Sequence, residues 1–165
     1  MPNVQLIRAT FKDHDTLFNL AQFYQYDFTE FLPGDLDEDG SYPYINVRFY
    51  LQPGRQAYLA RVDERLAGFV FLDEQLPYRG GKGRYLAEFF VIRRYRRQGV
   101  GRAMAVQTFN LFKGNWEIAE VGPNTPAQAF WRAVIGDYSK GRFKETITHE
   151  DGLDIVWQTF NSAEW

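Results

Sequence analysis

The stretch Phe89–Met104, FFVIRRYRRQGVGRAM, carries the strongest structural signal in the chain. It begins with the apolar residues of a buried strand, passes through an arginine- and glycine-rich loop, and ends on apolar positions spaced as in a helix. Backbone N–H groups in the first turn of a helix lack intrahelical acceptors, and the helix dipole adds partial positive charge there. The stretch therefore predicts a strand–loop–helix unit with an anion-binding site at the start of the helix.

Two glycines of this loop, Gly99 and Gly101, would let the backbone come close to a pyrophosphate because neither carries a Cβ. The loop and the helix start also supply positive charge from a group of arginines: Arg93, Arg94, Arg96, Arg97 and Arg102. The sequence thus favours a phosphate-containing ligand at this loop.

Other interpretations of the loop fit the residues to different degrees. Glycine-rich turns between a strand and a helix also serve packing alone. A dinucleotide GxGxxG fingerprint would need a third glycine where Met104 stands, and no GxxxxGK[ST] phosphate loop occurs. A nucleic-acid patch usually interleaves exposed aromatic residues with the arginines, and here only Tyr95 is available.

Composition is that of an ordinary globular protein. The 165 residues fit one domain, over residues 1–165, with 45% hydrophobic and 24% charged residues. A net charge of −2 lacks the basicity typical of nucleic-acid-binding domains. The chain has no cysteine and only His14 and His149 as imidazoles, which excludes disulfides, thiolate metal sites and a cysteine nucleophile. We expect no metal site and no nucleic-acid partner.

The first residues, MPNVQLIRATFKDHD, contain no apolar run long enough for the core of a signal peptide. A run of ~18 consecutive apolar residues, as a membrane span requires, occurs nowhere in the sequence. These patterns predict a cytoplasmic protein without a membrane partner.

Strand and helix signals alternate along the chain in the order β α (α) β β β α β α β β. The predicted strands are 4–9, 56–62, 66–72, 84–92, 116–121, 142–149 and 153–160. Between the first two strands, residues 26–44 combine Pro and Gly with many acids, which predicts a long irregular surface segment. The sequence therefore predicts an α/β fold, a single-domain mixed sheet with crossover helices.

Two motifs resemble a known family. The pattern Arg96-x-x-Gly99-x-Gly101, placed between a strand with Phe-Phe-Val and a helix, is similar to the acetyl-CoA signature of the GNAT N-acetyltransferases. NTPAQAFW, residues 124–131, resembles the family's Asn-x-x-Ala-x-x-Phe-Tyr segment. The blocks follow one another in the expected order, about 25 residues apart. The resemblance covers essentially the whole chain and implies a GNAT-like acyl-CoA N-acyltransferase fold.

The resemblance also implies acetyl-CoA as co-substrate and residues that would bind it. The strand backbone at Phe90, Val91 and Ile92 would hold the pantetheine arm as though it were a further strand. The pyrophosphate would be wrapped by the loop residues Arg96, Arg97, Gln98, Gly99, Val100, Gly101 and Arg102. Asn124 would contact the pantetheine arm or the neighbouring backbone, and Trp131 would pack beside the thioester or donate a hydrogen bond to its sulfur.

The catalytic residues are less defined, because the family usually places a proton-donating Tyr where this chain has Trp131. Tyr138 is a nearby substitute, unless it is only a packed aromatic residue at the helix exit. Glu88 is the candidate general base. In the polyamine acetyltransferases that this strand resembles, however, the base matches Ala87, and strand alternation would then turn Glu88 away from the thioester. Orientation of the reactants without a dedicated acid and base is the alternative.

The acceptor side in this family is usually walled by the first helices and their connecting loop. In this region Tyr26, Asp27 and Glu30 are our candidate substrate-binding residues, since carboxylates and aromatic faces attract cations. A solvated acidic loop is the alternative interpretation.

The sequence thus predicts an acetyl-CoA-dependent N-acetyltransferase that acts by direct transfer on the primary amine of a small, cationic acceptor. The alternative is a non-catalytic acyl-CoA-binding or sensing module, which Trp131 and Ala87 favour. A nucleic-acid-binding domain built on the RRYRR loop is the third hypothesis, and the net charge disfavours it. By analogy with the family, a homodimer is a further expectation.

Overall fold

The computed structural model describes residues 2–165. Within them, seven strands form one mixed sheet in the order β1-β2-β3-β4-β5-β7-β6. The strands are β1 (Val4–Arg8), β2 (Arg55–Val62), β3 (Arg65–Gln75), β4 (Lys82–Val91), β5 (Asn115–Val121), β6 (Lys144–Glu150) and β7 (Leu153–Asn161). The helices are α1 (His14–Phe28), α2 (Val47–Tyr50), α3 (Val100–Leu111) and α4 (Thr125–Ser139). This element order confirms the predicted mixed α/β fold.

One difference concerns the predicted irregular segment 26–44. Helix α1 continues to Phe28, so the irregular chain begins only after it and runs to α2. Part of this chain is fixed by α1, because the Gln25 side chain accepts hydrogen bonds from the backbone N–H groups of Tyr44 and Ile45.

Two apolar cores lie on opposite faces of the sheet. On one face, α1 and α2 pack through Leu17 and Val47 against Phe69 and Phe71 of β3. On the other face, α3 and α4 cover a second set, which includes Val70, Leu72, Leu86, Met104, Phe109, Trp116, Ile118 and Ile135. Since successive residues of a strand point to opposite faces, β3 contributes to both cores and is buried on both sides. No helix in the described part of the chain is long and apolar enough to cross a bilayer.

Strands β4 and β5 are the parallel pair of the sheet, joined by the crossover through α3. Their pairing covers only Arg84–Leu86 against Trp116–Ile118, and beyond these residues the strands diverge. The sheet therefore has a gap between the carboxyl-terminal halves of its two central strands.

A β-bulge at Ala87 sets the side-chain directions beside this gap. On β3, Leu72 pairs with Leu86 and Phe71 pairs with Glu88, so Ala87 is the extra residue of β4. Leu86 belongs to the α3/α4 core, whereas Phe90 belongs to the α1/α2 core. The bulge thus turns Glu88 to the α1 side of the sheet, which simple alternation from Leu86 would not do.

Close contact between β3 and β4 requires glycine at position 68. A Cβ there would lie 1.9 Å from the carbonyl oxygen of Phe90, so β4 would have to shift. We expect Gly68→Ala to lower the free energy of unfolding by about 3 kcal/mol, the upper end for overpacking, or to prevent folding. Gly136→Ala in α4 is the matched control variant, because its Cβ would contact only the Phe143 ring, at 3.7 Å. It should stabilise the protein by about 0.5–1 kcal/mol.

Urea unfolding of both variants measures this difference. Equal stability of Gly68→Ala and the wild type would contradict the tight β3–β4 contact.

Candidate functional site

Two clefts open where β4 and β5 diverge, and they meet there. The larger cleft, about 770 Å³, lies between α1, the loop 93–99 and the first turns of α3 and α4. The smaller cleft, about 370 Å³, lies between the diverging strands and reaches the end of β6. The residues shared by both linings are Tyr24, Phe28, Phe89, Asn124, Ala127 and Trp131. An elongated molecule can therefore extend from one cleft into the other.

The larger cleft is basic at its outer end, where it is lined by Arg93, Arg96, Arg97 and Arg102. Beside these side chains lies Gly99, the N-cap residue of α3, which has a φ of 81°. Nothing within 4 Å would meet a Cβ at Gly99, so its positive φ rather than crowding favours glycine. A helix start with free N–H groups among arginines fits an anionic group such as a pyrophosphate.

The second glycine of the loop has a packing role as well. A Cβ at Gly101 would lie 3.3 Å from the ring of Phe130 on α4, which is tighter than ordinary van der Waals contact. Close packing of α3 and α4 therefore accounts for part of the glycine pattern at this loop.

Most of the residues predicted to bind acetyl-CoA line the larger cleft. They are Phe90, Val91, Arg96, Arg97, Gly99, Gly101, Arg102, Asn124 and Trp131. The other three do not line it. Val100 is fully buried in the α3/α4 core, the Gln98 side chain donates to the Arg94 carbonyl at 2.7 Å, and the Ile92 N–H donates to the Ala67 carbonyl at 2.7 Å.

The predicted acceptor-binding residues lie at the larger cleft or outside both clefts. Tyr26 is 62% exposed and is not part of either described lining. Asp27 and Glu30 line the larger cleft instead of the smaller one. The Asp27 carboxylate accepts hydrogen bonds from Arg93, at 2.6 Å, and from Arg96. It is therefore already engaged by guanidinium groups.

These hydrogen bonds determine the ionisation of Asp27. Burial opposes the charged form, but the hydrogen bonds from Arg96 and Arg93 outweigh it and lower the pKa of Asp27. Arg96 also donates through Nε to the Val91 carbonyl oxygen at 2.7 Å. Asp27 thus fastens the end of α1 to the arginine loop and, through Arg96, to the end of β4.

The smaller cleft is acidic. Its lining contains Glu88, Glu120 and Glu150, and within residues 2–165 no Lys, Arg or His side chain contributes to it. Tyr85 and Trp157 form part of its aromatic wall. The two joined clefts therefore carry opposite charges, basic at the loop end and acidic at the end between the strands.

Glu88 lies in this smaller cleft beside Tyr24 of α1, to which the bulge directs it. Burial raises the pKa of Glu88 to about 7, and the interaction with the Tyr24 hydroxyl lowers it in part. Burial also raises the pKa of Tyr24 well above its ordinary value. Glu88 can therefore gain and lose a proton near neutral pH, whereas Tyr24 stays protonated.

Trp131 stands at the junction of the two clefts. Its ring packs edge-on against Phe89 and Phe130, each with a centroid distance of 4.9 Å. The side chain is 5% exposed, and its N–H makes no hydrogen bond to any residue that the structure describes. Trp131 thus forms a wall where the clefts meet and can supply a hydrogen-bond donor there.

Tyr138, predicted as a candidate proton donor, lines neither described cleft. Its hydroxyl donates to Asn110 Oδ1 at 2.9 Å, and its ring packs against Phe109 and Trp165. Tyr138 lies nearly two helical turns beyond Trp131 on α4, so it does not occupy a position equivalent to that of Trp131.

Glu120 is a site residue that the sequence analysis did not identify. It lies on β5, lines the smaller cleft and is only 5% exposed. Burial raises the pKa of Glu120 to about 8. The sequence did contain a signal for Glu120, namely an acidic residue among the apolar residues Ile118 and Val121 of a predicted strand. Charged residues are rarely fully buried, so an acid in a buried strand indicates a special role.

No cluster of three or more metal-binding side chains occurs among the residues described. The site therefore consists of an arginine loop, a gap between strands, and buried carboxylates.

Comparisons with known proteins agree with this geometry. A family model described as the acetyltransferase (GNAT) family matches residues 17–136. No curated protein sequence matches the chain. Among solved structures, an acetyltransferase from Thermus thermophilus is similar with a TM-score of 0.67 and 18% identity, covering 96% of this chain and 97% of that one.

A second solved structure has a comparable similarity. It is a spermidine N-acetyltransferase from Vibrio cholerae in complex with CoA and spermine, with a TM-score of 0.66 and 12% identity. The match covers 97% of this chain and 96% of that chain. At such identities the two structures show a shared fold.

The contacts of Asp27 predict a pH-dependent contribution to stability. A lowered folded-state pKa stabilises the protein above the unfolded pKa of about 3.9, and this contribution is lost as pH falls through the folded pKa. We expect Asp27→Asn to lower the free energy of unfolding by about 1 kcal/mol at pH 7. The difference from the wild type should shrink as the solution is acidified below the unfolded pKa.

Glu30→Gln is the matched control, since Glu30 lines the same cleft but forms no ion pair with the described part of the chain. It should change stability by less than about 0.5 kcal/mol. Urea unfolding across pH measures both variants, and a pH-independent effect of Asp27→Asn would argue against the ion pairs.

Proposed function

We propose the following reaction from the premise that the chain belongs to the GNAT family of acetyltransferases and is therefore an acyltransferase with acetyl-CoA as co-substrate. The acetyl group passes directly to the primary amine of a small, cationic acceptor. The observation that carries this proposal is the pair of oppositely charged clefts that meet at the gap between β4 and β5.

The residues of the larger cleft fit acetyl-CoA. Arg97 and Arg102, with the N–H groups at the start of α3, offer positive charge and donors to a pyrophosphate. Beyond Leu86, β4 has no pairing with β5, so its backbone can bind an extended arm as a strand would. Asn124 and Trp131 line the passage into the smaller cleft. When bound, acetyl-CoA supplies an activated acetyl thioester.

The smaller cleft suits a cationic acceptor. Glu88 in its ionised form attracts a protonated amine, and the tyrosine and tryptophan rings of the cleft offer faces to a cation. A volume of about 370 Å³ limits what enters to a small molecule or the end of a chain. This assignment moves the proposed acceptor site from Tyr26, Asp27 and Glu30 to the cleft between the strands.

Glu88 is the proposed general base. An amine attacks only in its neutral form, so its proton must be removed first. The Glu88 carboxylate can accept that proton because burial holds its pKa at about 7, close to the working pH. Since the chain contains no cysteine, we propose direct transfer without an acylated thiol.

Binding of acetyl-CoA can be tested at the loop. In Gly99→Asp a carboxylate would face the pyrophosphate site, and we expect calorimetry to show at least about a tenfold weaker affinity, as for a like-charge contact. Gly141→Asp is the matched control, with a φ of 79° and no atom within 4 Å of its Cβ. It adds the same charge and the same backbone strain away from both clefts.

Equal loss of affinity in the two variants would mean that strain or net charge, not the site, causes the effect. A folded wild type that does not bind acetyl-CoA would overturn the proposed function.

Catalysis by Glu88 can be tested through the pH dependence of turnover. Glu88 acts as a base only when ionised, so kcat/KM of the wild type should rise with pH through about 7. We expect Glu88→Gln to lower kcat by about 10²–10⁴ and to lose this rise. Glu64→Gln, in the turn between β2 and β3, should keep both the rate and the profile.

The rate is measured as the release of free thiol from acetyl-CoA in the presence of a panel of amines. The panel contains monoamines, diamines, amino sugars and peptides, each with a neutral or acidic analogue. Preference for an acidic acceptor would contradict the charge of the smaller cleft.

The predicted cytoplasmic location and homodimer stay predictions.

A further inference from the structure

We propose that the outer edge of β6 is the contact surface for a second copy of this chain. In the proposed contact the two β6 strands run antiparallel about a two-fold axis, with Ile147 of one copy opposite Ile147 of the other. The inference concerns assembly and goes beyond the proposed function.

Strand β6 (Lys144–Glu150) is the last strand of the sheet, and within residues 2–165 its one neighbour is β7. Six of its seven residues are exposed, and the apolar side chain of Ile147 is 64% exposed. All seven residues pair with β7 in a single register, so the strand is regular along its whole length. A regular, unpaired edge of this kind is a template for another strand.

The backbone groups that face this open edge can be assigned from the hairpin turn. Residues 151–152 link β6 to β7 with φ values of 50° and 78°, as in a two-residue type I′ turn. In such a turn Glu150 and Leu153 form the hydrogen-bonded pair that closes the hairpin. Groups that face the neighbour and groups that face away alternate along an edge strand. The outward N–H and C=O groups are therefore those of Glu145, Ile147 and His149.

The side chains of β6 form a self-complementary sequence about Ile147. In an antiparallel pair centred there, the outward backbone groups of the two copies meet, and each facing pair can exchange two hydrogen bonds. The facing side chains are then Ile147 with Ile147, Thr146 with Thr148, Glu145 with His149, and Lys144 with Glu150. Apolar, hydroxyl and charged groups therefore each face a partner that suits them.

Other registers give unfavourable pairs. The outward groups of the two strands meet only when the two-fold axis passes through a residue. An axis at Thr148 would place Glu145 opposite Asp151, and an axis at Glu145 would place that carboxylate opposite its own copy. An axis at Thr146 would place Glu145 opposite the apolar Ile147. Like charges directly opposite one another destabilise a strand pair, so the register centred on Ile147 is favoured.

Lys144 and Glu150 are available for this contact. Both residues are exposed, and neither forms an ion pair within residues 2–165. A strand of unrelated sequence would leave these charges unpaired, whereas a second copy supplies the opposite charge at each end of the contact. The charge pattern therefore favours self-association over other partners.

The opposite edge of the sheet, β1, differs from β6. The Gln107 side chain on α3 donates to the Val4 carbonyl oxygen at 2.9 Å, so α3 occupies part of that edge. The sequence of β1, VQLIR, carries a positive charge at Arg8 and no acidic residue, so a second copy would bring no opposite charge. β1 also contains an exposed isoleucine, Ile7, which makes this strand a matched control.

The proposed contact reaches the smaller cleft. Glu150 lines that cleft, and in the register centred on Ile147 it faces Lys144 of the second copy. This ion pair would balance the charge of Glu150 and leave Glu88 as the carboxylate that attracts a cationic acceptor. The effect on the acceptor, unlike the contact itself, rests on the proposed function.

The strand contact is small, with seven residues on each side against about 20–30 in an interface of standard size. We therefore expect a dimer that dissociates on dilution, with a Kd of about 1–100 µM. Sedimentation of the wild type at concentrations from well below to well above this range measures the Kd. A wild type that stays monomeric throughout would overturn the proposal.

Ile147→Asp tests the centre of the contact. It would place two carboxylates opposite each other at the two-fold axis, and we expect the Kd to rise at least about tenfold. Ile7→Asp makes the same change in the other edge strand and should keep the wild-type Kd. Circular dichroism checks that both variants fold. Equal Kd values for Ile147→Asp and the wild type, or equal weakening by both substitutions, would rule out β6 as the contact.

Charge reversal tests the register. Lys144→Glu would place carboxylates opposite each other at both ends of the contact and should weaken the dimer at least about tenfold. Adding Glu150→Lys to the same chain restores opposite charges, and the double variant should recover the wild-type Kd. A double variant that associates no better than Lys144→Glu would contradict this register.

Cross-linking gives a readout that does not depend on affinity. The chain contains no cysteine, so Ile147→Cys introduces a single thiol. In the proposed pair the two Cα atoms would lie about 5.5 Å apart, within the range that a disulfide spans. Mild oxidation should therefore give a covalent dimer of Ile147→Cys and leave Ile7→Cys monomeric. Equally fast cross-linking of both variants would argue against the contact.

Assembly and activity fail separately. A wild type that acetylates an amine but stays monomeric would overturn this inference alone. A wild type that dimerises through β6 but does not bind acetyl-CoA would overturn the proposed function and leave the contact in place.

Discussion

The early separation of β4 and β5 is the constraint on which the site depends. A parallel pair usually continues its hydrogen bonds along the strands, but here pairing stops at Leu86 and Ile118. Each unpaired backbone group in a sheet interior needs another partner, so the gap offers free backbone groups to the extended arm of the proposed co-substrate. Both faces of the sheet are covered, one by α1 and α2 and the other by α3 and α4, and the α3/α4 core contains Leu86 of β4 and Ile118 of β5 at the point where the pairing ends.

Positively and negatively charged groups lie at opposite ends of this gap. The loop before α3 lies at one end and adds arginines to the partial positive charge of the helix start. At the other end, the strands carry carboxylates into a space that α1 and α4 shield from water. At the basic end, the hydrogen bonds of Asp27 to Arg93 and Arg96 connect α1 with the loop.

Burial changes the ionisation of the two carboxyl groups, Glu88 and Glu120, that border the gap. Glu88 and Glu120 both lose solvation in the cleft, which raises the pKa of Glu88 to about 7 and that of Glu120 to about 8. Hydrogen bonding partly stabilises both ionised forms, through Gln158 at Glu120 and through Tyr24 at Glu88.

The sequence by itself determined the element order, the arginine–glycine loop at the start of α3 and the family, because these depend on local periodicity and short motifs. Only the tertiary structure decided which side chains share the gap. The bulge at Ala87 reversed the direction of Glu88 that strand alternation predicts, since it depends on pairing with β3. Glu120 lines the cleft because β4 and β5 separate before it. Tyr138 lies outside the cleft because it is nearly two turns further along α4 than Trp131. Such distances arise from packing between elements remote in sequence, which no local pattern encodes.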